Sequence, residues 1–181
     1  MRRLCGSLAL FTLWLGLPLR IARAAPQDSV AFATLSDTAK VRAMNAEAWA
    51  LRRTEGARAI LLGQRSLALA RRIPFPAGEA QILNYIGVAY QWLSDEKAAS
   101  KYFFEALAVS DKYGIRKEKA YGLMNIASSL RNEGEAAQAL TYAEQALRIQ
   151  RELEDHRGIA YAHIRLAEIY NSLQRFDDAI V

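Results

Sequence analysis

The sequence predicts an all-α protein, a right-handed α-solenoid built from antiparallel helix hairpins. Two observations lead to this fold class. Similar residue types recur every 40 positions, which is typical of repeat architectures. Within each period, apolar residues recur at three- and four-residue steps, which places them on one face of a helix. A hydrophobic fraction of 52% with 24% charged residues is that of a folded domain and excludes disorder.

The repeat is clearest at positions occupied by small residues. The two best series are Ala80, Ala120 and Ala160, and Ala59, Ala99, Ala139 and Ala179. Small side chains let two helices approach closely, so we expect Gly87, Ala127 and Ala167 on the first helices to meet Ala99, Ala139 and Ala179 on the second helices. The large side chains of Tyr90, Phe103 and Tyr170 are then expected to fill the space between neighbouring hairpins.

Each unit is predicted to contain two helices separated by a short polar break. The first helices are predicted near 37–53, 77–93, 116–132 and 157–173. The second helices are predicted near 55–72, 95–112, 135–153 and from 176 onward. Ser94 and Asn132 lie in polar breaks and are predicted to cap the helices that follow, because their side chains can accept hydrogen bonds from unpaired amides.

The order of residues within a unit resembles the tetratricopeptide repeat. In the second unit that order is Leu83, Ile86, Gly87, Tyr90, Ala99, Phe103 and Ala106. The resemblance covers 37–181, with units at 40–79, 80–119, 120–159 and a shortened 160–181. The period exceeds the usual length of about 34 residues, as in the longer-helix variety of bacterial regulatory and sensor proteins.

The N-terminal segment has the pattern of a signal peptide. Arg2 and Arg3 precede an apolar run, and Ala22 and Ala24 supply the small residues of a cleavage site. We therefore predict a signal peptide at 1–24, a lead-in at 25–36 and export to the periplasm or the outer face of a bacterial membrane. The alternative is an uncleaved anchor, although the run is shorter than the ~20 residues that span a bilayer.

The net charge excludes one class of partner. The chain carries +5, but Arg2, Arg3, Arg20 and Arg23 lie in the predicted signal, so the remainder carries 5 − 4 = +1. A nucleic-acid-binding domain needs a basic surface of its own, so we expect no nucleic-acid partner. The single cysteine, Cys5, also lies in the predicted signal, so we expect neither disulfides nor thiolate metal sites.

The sequence shows no constellation of catalytic or metal-binding residues, so we predict no enzyme, no cofactor and no metal. His156 is predicted in a solvated connection between units, without a second histidine or cysteine at ligand spacing. His163 takes the place of Leu83 and Leu123 in the repeat, so we expect it to be partly buried. No glycine-rich phosphate loop is present.

The resemblance implies a concave groove lined by the first helices, at the second, fifth, ninth and twelfth positions of each unit. In the first unit these are Val41, Met44, Ala48 and Leu51, although Val41 and Leu51 have the alternative of packing against an N-terminal segment. The predicted peptide-binding residues of the later units are Gln81, Asn84, Val88, Gln91, Tyr121, Met124, Ser128, Arg131, Tyr161, Ile164, Glu168 and Asn171. A lining that mixes apolar, aromatic and amide groups suits a protein or peptide partner.

Two functions remain open. The segment before the repeats, Leu35 to Val41 with Trp49 further on, resembles the extracytoplasmic sensor region of bacterial membrane signalling proteins, in which a histidine kinase or nucleotide cyclase follows. The alternative is a free periplasmic scaffold for an envelope or secretion complex. The last helix has six residues at 176–181, so we expect a fragment of a longer chain. Membrane contact is expected only through a missing downstream region or an uncleaved signal.

Overall fold

The computed structural model describes residues 35–174, and within that range the chain forms seven α-helices and no strand. Their bounds are α1 Asp37–Leu51, α2 Gly56–Arg72, α3 Pro76–Trp92, α4 Glu96–Tyr113, α5 Arg116–Asn132, α6 Ala136–Glu152 and α7 His156–Ser172. Each predicted helix in this range is confirmed, with ends displaced by no more than two residues. The predicted signal peptide and the helix predicted from 176 lie outside the described residues.

The helices are arranged in two layers. Consecutive helices pack against each other along the whole series, and α1, α3, α5 and α7 also pack one against the next. Between positions 37 and 172, the helices α2, α4 and α6 do not pack against one another in this way, although an ion pair at 3.3 Å joins Arg71 of α2 to Glu105 of α4. The odd-numbered helices, called inner helices below, therefore form a continuous layer, and the outer helices α2, α4 and α6 cover one side of it. This is the arrangement of a helical solenoid.

Turns with a positive φ angle follow one another every twenty residues. They occur at Ser94, Gly114, Gly134, Glu154 and Gln174, with φ between 51° and 88°. Glycine adopts this left-handed conformation without a Cβ clash, whereas the other three residues adopt it at a cost. One helix and its turn thus occupy twenty residues, and two of them make the 40-residue period.

The predicted capping residues are wrong, because each turn places the cap one position later or omits it. Ser94 occupies the left-handed turn, and Asp95 caps α4 by accepting a hydrogen bond from the Ala98 amide at 3.0 Å. Asn132 is the last residue of α5, and its Nδ2 donates to Glu96 Oε1 at 2.9 Å. Asn132 therefore joins two helices instead of starting the next one.

Close contact between α3 and α4 depends on Gly87. A Cβ atom at this position would lie 2.4 Å from Cε1 of Phe103, a distance that forces the ring to move. Phe103 is fully buried and also packs with Ala99 and with Ile126 of α5. The expected roles of Gly87 and Phe103 are thus confirmed: the glycine admits the ring, and the ring joins two hairpins.

A further hydrophobic core cluster lies among α5, α6 and α7. It is built around Ala139, Ala143 and Ala146 of α6, which are fully buried against Leu123 and Leu166. Alanines on the outer helix allow the inner helices on both sides to approach it closely. None of the helices within 35–174 is both long and apolar enough to cross a membrane.

The turns allow a direct test of backbone strain. Replacing Gly134 with alanine should lower the free energy of unfolding by about 1 kcal/mol, because a side chain disfavours the left-handed conformation. No atom lies within 4 Å of the added Cβ, so steric contact does not contribute to this loss. Replacing exposed Glu154 with glycine should instead raise the free energy of unfolding, because glycine adopts the positive φ of this turn without a Cβ clash. Urea unfolding monitored by circular dichroism measures the free energy of unfolding of both variants. If both substitutions changed it in the same direction, the left-handed turns would not be the cause.

Candidate functional site

The inner helices enclose a groove of about 800 Å³. It is lined along α3, α5 and α7, whereas α1 contributes Trp49 and Arg52 near its C-terminal end. The surface combines aromatic rings, side-chain amides and charged groups of both signs. Such a surface offers apolar contact area together with hydrogen-bonding partners.

Eight of the twelve predicted binding residues lie in the lining of this groove: Gln81, Asn84, Val88, Gln91, Tyr121, Ser128, Arg131 and Tyr161. Whether they bind a peptide stays a prediction. Ile164, Glu168 and Asn171 lie outside the lining, and the Ile164 side chain is 59% exposed.

The prediction that Met124 faces the groove is wrong. Met124 is fully buried in the core cluster of α5, α6 and α7, and the next residue, Asn125, lines the groove instead. One residue rotates the side-chain direction by about 100°, so an error of one position turns a lining residue into a core residue. The same displacement occurs in α7, where Arg165 lines the groove and Ile164 does not.

Sequence reasoning missed a further set of lining residues. Tyr85, Asn125 and Arg165 occupy equivalent positions in three successive units, and the 40-residue spacing was the signal that could have found them. Trp92 and Asn132 form a second such pair, also 40 residues apart. Neither set belongs to the positions taken over from the family.

The first unit contributes little to the groove because its inner face is core. Val41, Met44 and Ala48 are all buried, and Val41 lies against Gly78 of α3. Val41 thus packs against α2 and α3, and packing against an N-terminal segment stays a prediction because that segment lies largely outside the described residues. Leu51 is half-buried and does not line the groove.

Two asparagines connect successive inner helices. Asn45 Nδ2 of α1 donates to the Gly78 carbonyl of α3 at 3.1 Å, and Asn84 Nδ2 of α3 donates to the Glu118 carbonyl of α5 at 3.1 Å. Both side chains are 1% exposed. A buried amide that is hydrogen-bonded to a neighbouring backbone fixes the relative position of the two helices. Asn84 therefore shapes the groove even though it was predicted as a binding residue.

Glu96 of α4 gathers donors from the inner helices on either side of it. Its carboxylate accepts hydrogen bonds from Gln91 Nε2 of α3 at 3.4 Å, from Ser129 Oγ at 3.3 Å and from Asn132 Nδ2 at 2.9 Å. The last two residues belong to α5. Glu96 thus joins α3, α4 and α5 at the edge of the groove formed by the C-terminal ends of α3 and α5.

Asp155 has a similar role at the opposite edge. It caps α7 by accepting a hydrogen bond from the Gly158 amide at 3.1 Å, and Tyr121 of α5 donates its hydroxyl to the same carboxylate at 3.1 Å. Lys117 lies 3.6 Å away. Burial alone would raise the pKa of Asp155, but the Gly158 amide, Lys117 and Tyr121 together lower it. Asp155 is therefore ionised and held in place.

Glu118 and two tyrosines lie in the less solvated part of the groove. Burial raises the pKa of Glu118, and the hydrogen bond from Asn84 only partly opposes this effect. Burial also raises the pKa of Tyr85 and that of Tyr121 to about 12. Both phenols consequently remain neutral hydrogen-bonding groups.

Two arginines in the groove lie over aromatic rings, and two pair with the same carboxylate. The Arg52 guanidinium is 3.5 Å from the ring centroid of Trp49, and that of Arg165 is 5.0 Å from the ring centroid of Tyr161. Arg131 and Arg165 both pair with Glu168, which lies just outside the lining. Stacking and pairing hold these side chains in defined positions.

The two histidines take no part in the groove. His156 is the first residue of α7 and is exposed, so it lies at a helix start and not in the connection that was predicted. His163 is half-buried, as expected from its position in the repeat. Within residues 35–174, no group of three or more histidine, cysteine and acidic side chains is arranged to hold a metal ion.

The raised pKa of Glu118 predicts how stability depends on pH. The folded protein binds this proton more tightly than the unfolded chain, so the contribution of Glu118 is fully present below its unfolded pKa and is lost as pH rises through the folded value. Glu118→Gln should therefore raise the free energy of unfolding at about pH 7 and change it little at about pH 4. Urea titrations measure both. The exposed turn variant Glu133→Gln is the control, and an effect of Glu118→Gln that is independent of pH would contradict the prediction.

Comparison with known proteins agrees with this architecture. The family model for the tetratricopeptide repeat matches residues 118–181, a range that includes most of α5 and all of α6 and α7. No curated protein matches the sequence. The family match covers the later units and is independent of the groove geometry.

Several solved structures share the fold. The apo form of RapI superposes with a TM-score of 0.71 at 15% identity, over 84% of this chain and 56% of that one. Aspartyl phosphate phosphatase F from Bacillus subtilis superposes with a TM-score of 0.73 at 12% identity, over 84% of this chain and 40% of that one. The third structure is a signal transduction ATPase from Pyrococcus horikoshii that has a tetratricopeptide repeat sensor. It superposes with a TM-score of 0.59 at 21% identity, over 65% of this chain and 18% of that one. The chain thus spans between 18% and 56% of the length of these three proteins.

The family model matches the later units and the solved structures share the fold, so this chain is similar to tetratricopeptide-repeat proteins. Proteins of this class typically bind other proteins or peptides, and the repeat itself is typically not catalytic.

Proposed function

We propose that this chain is a peptide-binding repeat module and forms the extracytoplasmic sensor part of a bacterial membrane signalling protein, such as a histidine kinase or a nucleotide cyclase. The observation that carries the binding function is the groove itself. The hydrogen bond of Asn84 to the Glu118 carbonyl fixes part of its wall, and the side chains of Trp92 and Tyr161 line its surface. A preformed groove of this kind binds an extended segment without reorganising.

The sensor role draws on two further observations. The N-terminal segment at 1–24 has the pattern of an export signal. Among the proteins with a similar fold, one is an aspartyl phosphate phosphatase and one is a signal transduction ATPase whose repeat is a sensor. In such an arrangement, the repeat would bind a ligand outside the membrane and an output domain would respond.

A free periplasmic scaffold is the second candidate, and the outer helices favour it. Leu61 of α2 and Phe104 of α4 are 41% and 48% exposed, so this side also offers apolar contact area. A scaffold would use both surfaces at once. The gene downstream of residue 181 distinguishes the two candidates, because a hydrophobic segment of ~20 residues supports the sensor and a polar capping helix followed by a stop codon supports the scaffold.

Peptide binding can be tested with a pool of random octapeptides passed over the immobilised chain. The parent should retain a subset of the pool, and Trp92→Ala combined with Tyr161→Ala should lower the amount retained about tenfold or more, as expected for the loss of aromatic anchors. The test omits Asn84, because its hydrogen bond to Glu118 also holds α3 to α5.

The matched control for this experiment is Phe104→Ala, which removes an exposed aromatic ring from an outer helix. Circular dichroism establishes that all variants are folded. Equal losses in the groove variant and the control, or no retention by the parent, would exclude the groove as a peptide site.

Export can be tested separately by fusing residues 1–36 to alkaline phosphatase, an enzyme that is active only outside the cytoplasm. We expect an active fusion, and we expect Leu10→Arg to abolish activity because a charge in the apolar run opposes its insertion into the membrane. An inactive parent fusion, or activity that is unaffected by Leu10→Arg, would contradict an exported sensor and an exported scaffold alike.

A further inference from the structure

The groove has more cationic than anionic side chains. Five cations contribute to its lining, namely Arg52, Lys117, Arg131, Arg157 and Arg165. Three carboxylates face them, those of Glu96, Glu118 and Asp155. Including Glu168, which lies just outside and pairs with two of the arginines, the balance is still five cations against four carboxylates.

The carboxylates are already engaged by the protein. Glu96 and Asp155 each accept three contacts from neighbouring groups, and Glu118 is 9% exposed with a pKa raised by burial. The charges of Glu96 and Asp155 are therefore used within the fold, and the side chain of Glu118 is buried. These carboxylates therefore contribute little repulsion to an anionic ligand in the groove.

Two of the cations lack an acidic partner. Arg157 is exposed and forms no ion pair with any residue of the range 35–174. Arg52 stacks on Trp49 and donates to its backbone carbonyl, so no carboxylate neutralises it within the same range. Arg131 and Arg165 share the single carboxylate of Glu168. The uncompensated charge thus faces the groove.

The cations also share one region. Arg157, Tyr161 and Arg165 follow each other at four-residue steps along α7, so they form one stripe, and all three line the groove. Arg52, which directly follows the last residue of α1, lines the same groove. Cationic groups at the end of α1 and along α7 therefore line one groove and face the same ligand.

We propose that the groove selects acidic peptides, whose carboxylates lie near Arg157 and Arg52 while an apolar side chain contacts the ring of Trp92. Trp92 is 53% exposed and lines the same groove, although the Arg53 guanidinium lies 4.6 Å from its ring centroid, so the exposed part of the ring offers apolar area beside the charges. A carboxylate of the peptide can accept two parallel hydrogen bonds from a guanidinium, and neither Arg157 nor Arg52 has such a partner within 35–174. This inference rests on the proposed peptide binding and names the class of peptide.

The experiment sequences the octapeptides retained by the 181-residue chain and compares their content of aspartate and glutamate with that of the input pool. We expect an acidic enrichment of about two- to fivefold, which is the range that an exposed ion pair provides. Arg157→Glu should abolish the enrichment. This substitution places an acid in the first turn of α7, where a negative charge is compatible with the helix.

The matched control is Arg65→Glu, the same change of charge on the exposed side of outer helix α2, and it should retain the acidic enrichment. Raising the salt concentration should reduce the enrichment in the parent. Retained peptides without acidic enrichment, or an enrichment that survives Arg157→Glu, would overturn this inference and leave peptide binding intact. If the parent retains no peptide, the proposed function fails and this inference fails with it.

Discussion

The groove depends on direct contact between inner helices. Because α1, α3, α5 and α7 pack against one another in succession while the outer helices do not, the inner layer is continuous, whereas α2 and α4 of the outer layer are joined by the ion pair of Arg71 with Glu105. Asn45 and Asn84 reinforce this contact at two of its junctions, each by a buried hydrogen bond to the backbone of the next inner helix. A buried donor left without that acceptor would cost free energy, so the spacing of the inner helices is strongly constrained.

Much of the fold could be predicted because it depends on period and side-chain size. The recurrence of Ala80, Ala120 and Ala160 indicates the repeat, and apolar steps of three and four indicate the helices. The pairing of Gly87 with Phe103 follows from volume alone. The capping residues were missed because Ser94 occupies the left-handed turn, a backbone conformation that composition does not reveal for a residue other than glycine.

The candidate site was predicted less completely, because side-chain direction changes by about 100° with each residue of a helix. Positions taken from a shorter repeat placed Met124 in the groove, whereas packing placed Asn125 there. The networks around Glu96 and Asp155 could not be predicted at all, since they join residues of different units whose distance depends on the curvature of the inner layer. Local pattern determines which face of a helix is apolar, but long-range packing determines which polar groups meet.

The left-handed turn at every twentieth residue has a consequence for how this protein can change in length. A whole unit of helix, turn, helix and turn can be duplicated or deleted while every remaining lining residue keeps its direction. A single-residue insertion inside an inner helix would instead rotate all subsequent positions of that helix by about 100° and bring core side chains into the groove. Evolution can therefore lengthen such a groove in steps of 40 residues, and the register between successive units is inherited with each copy.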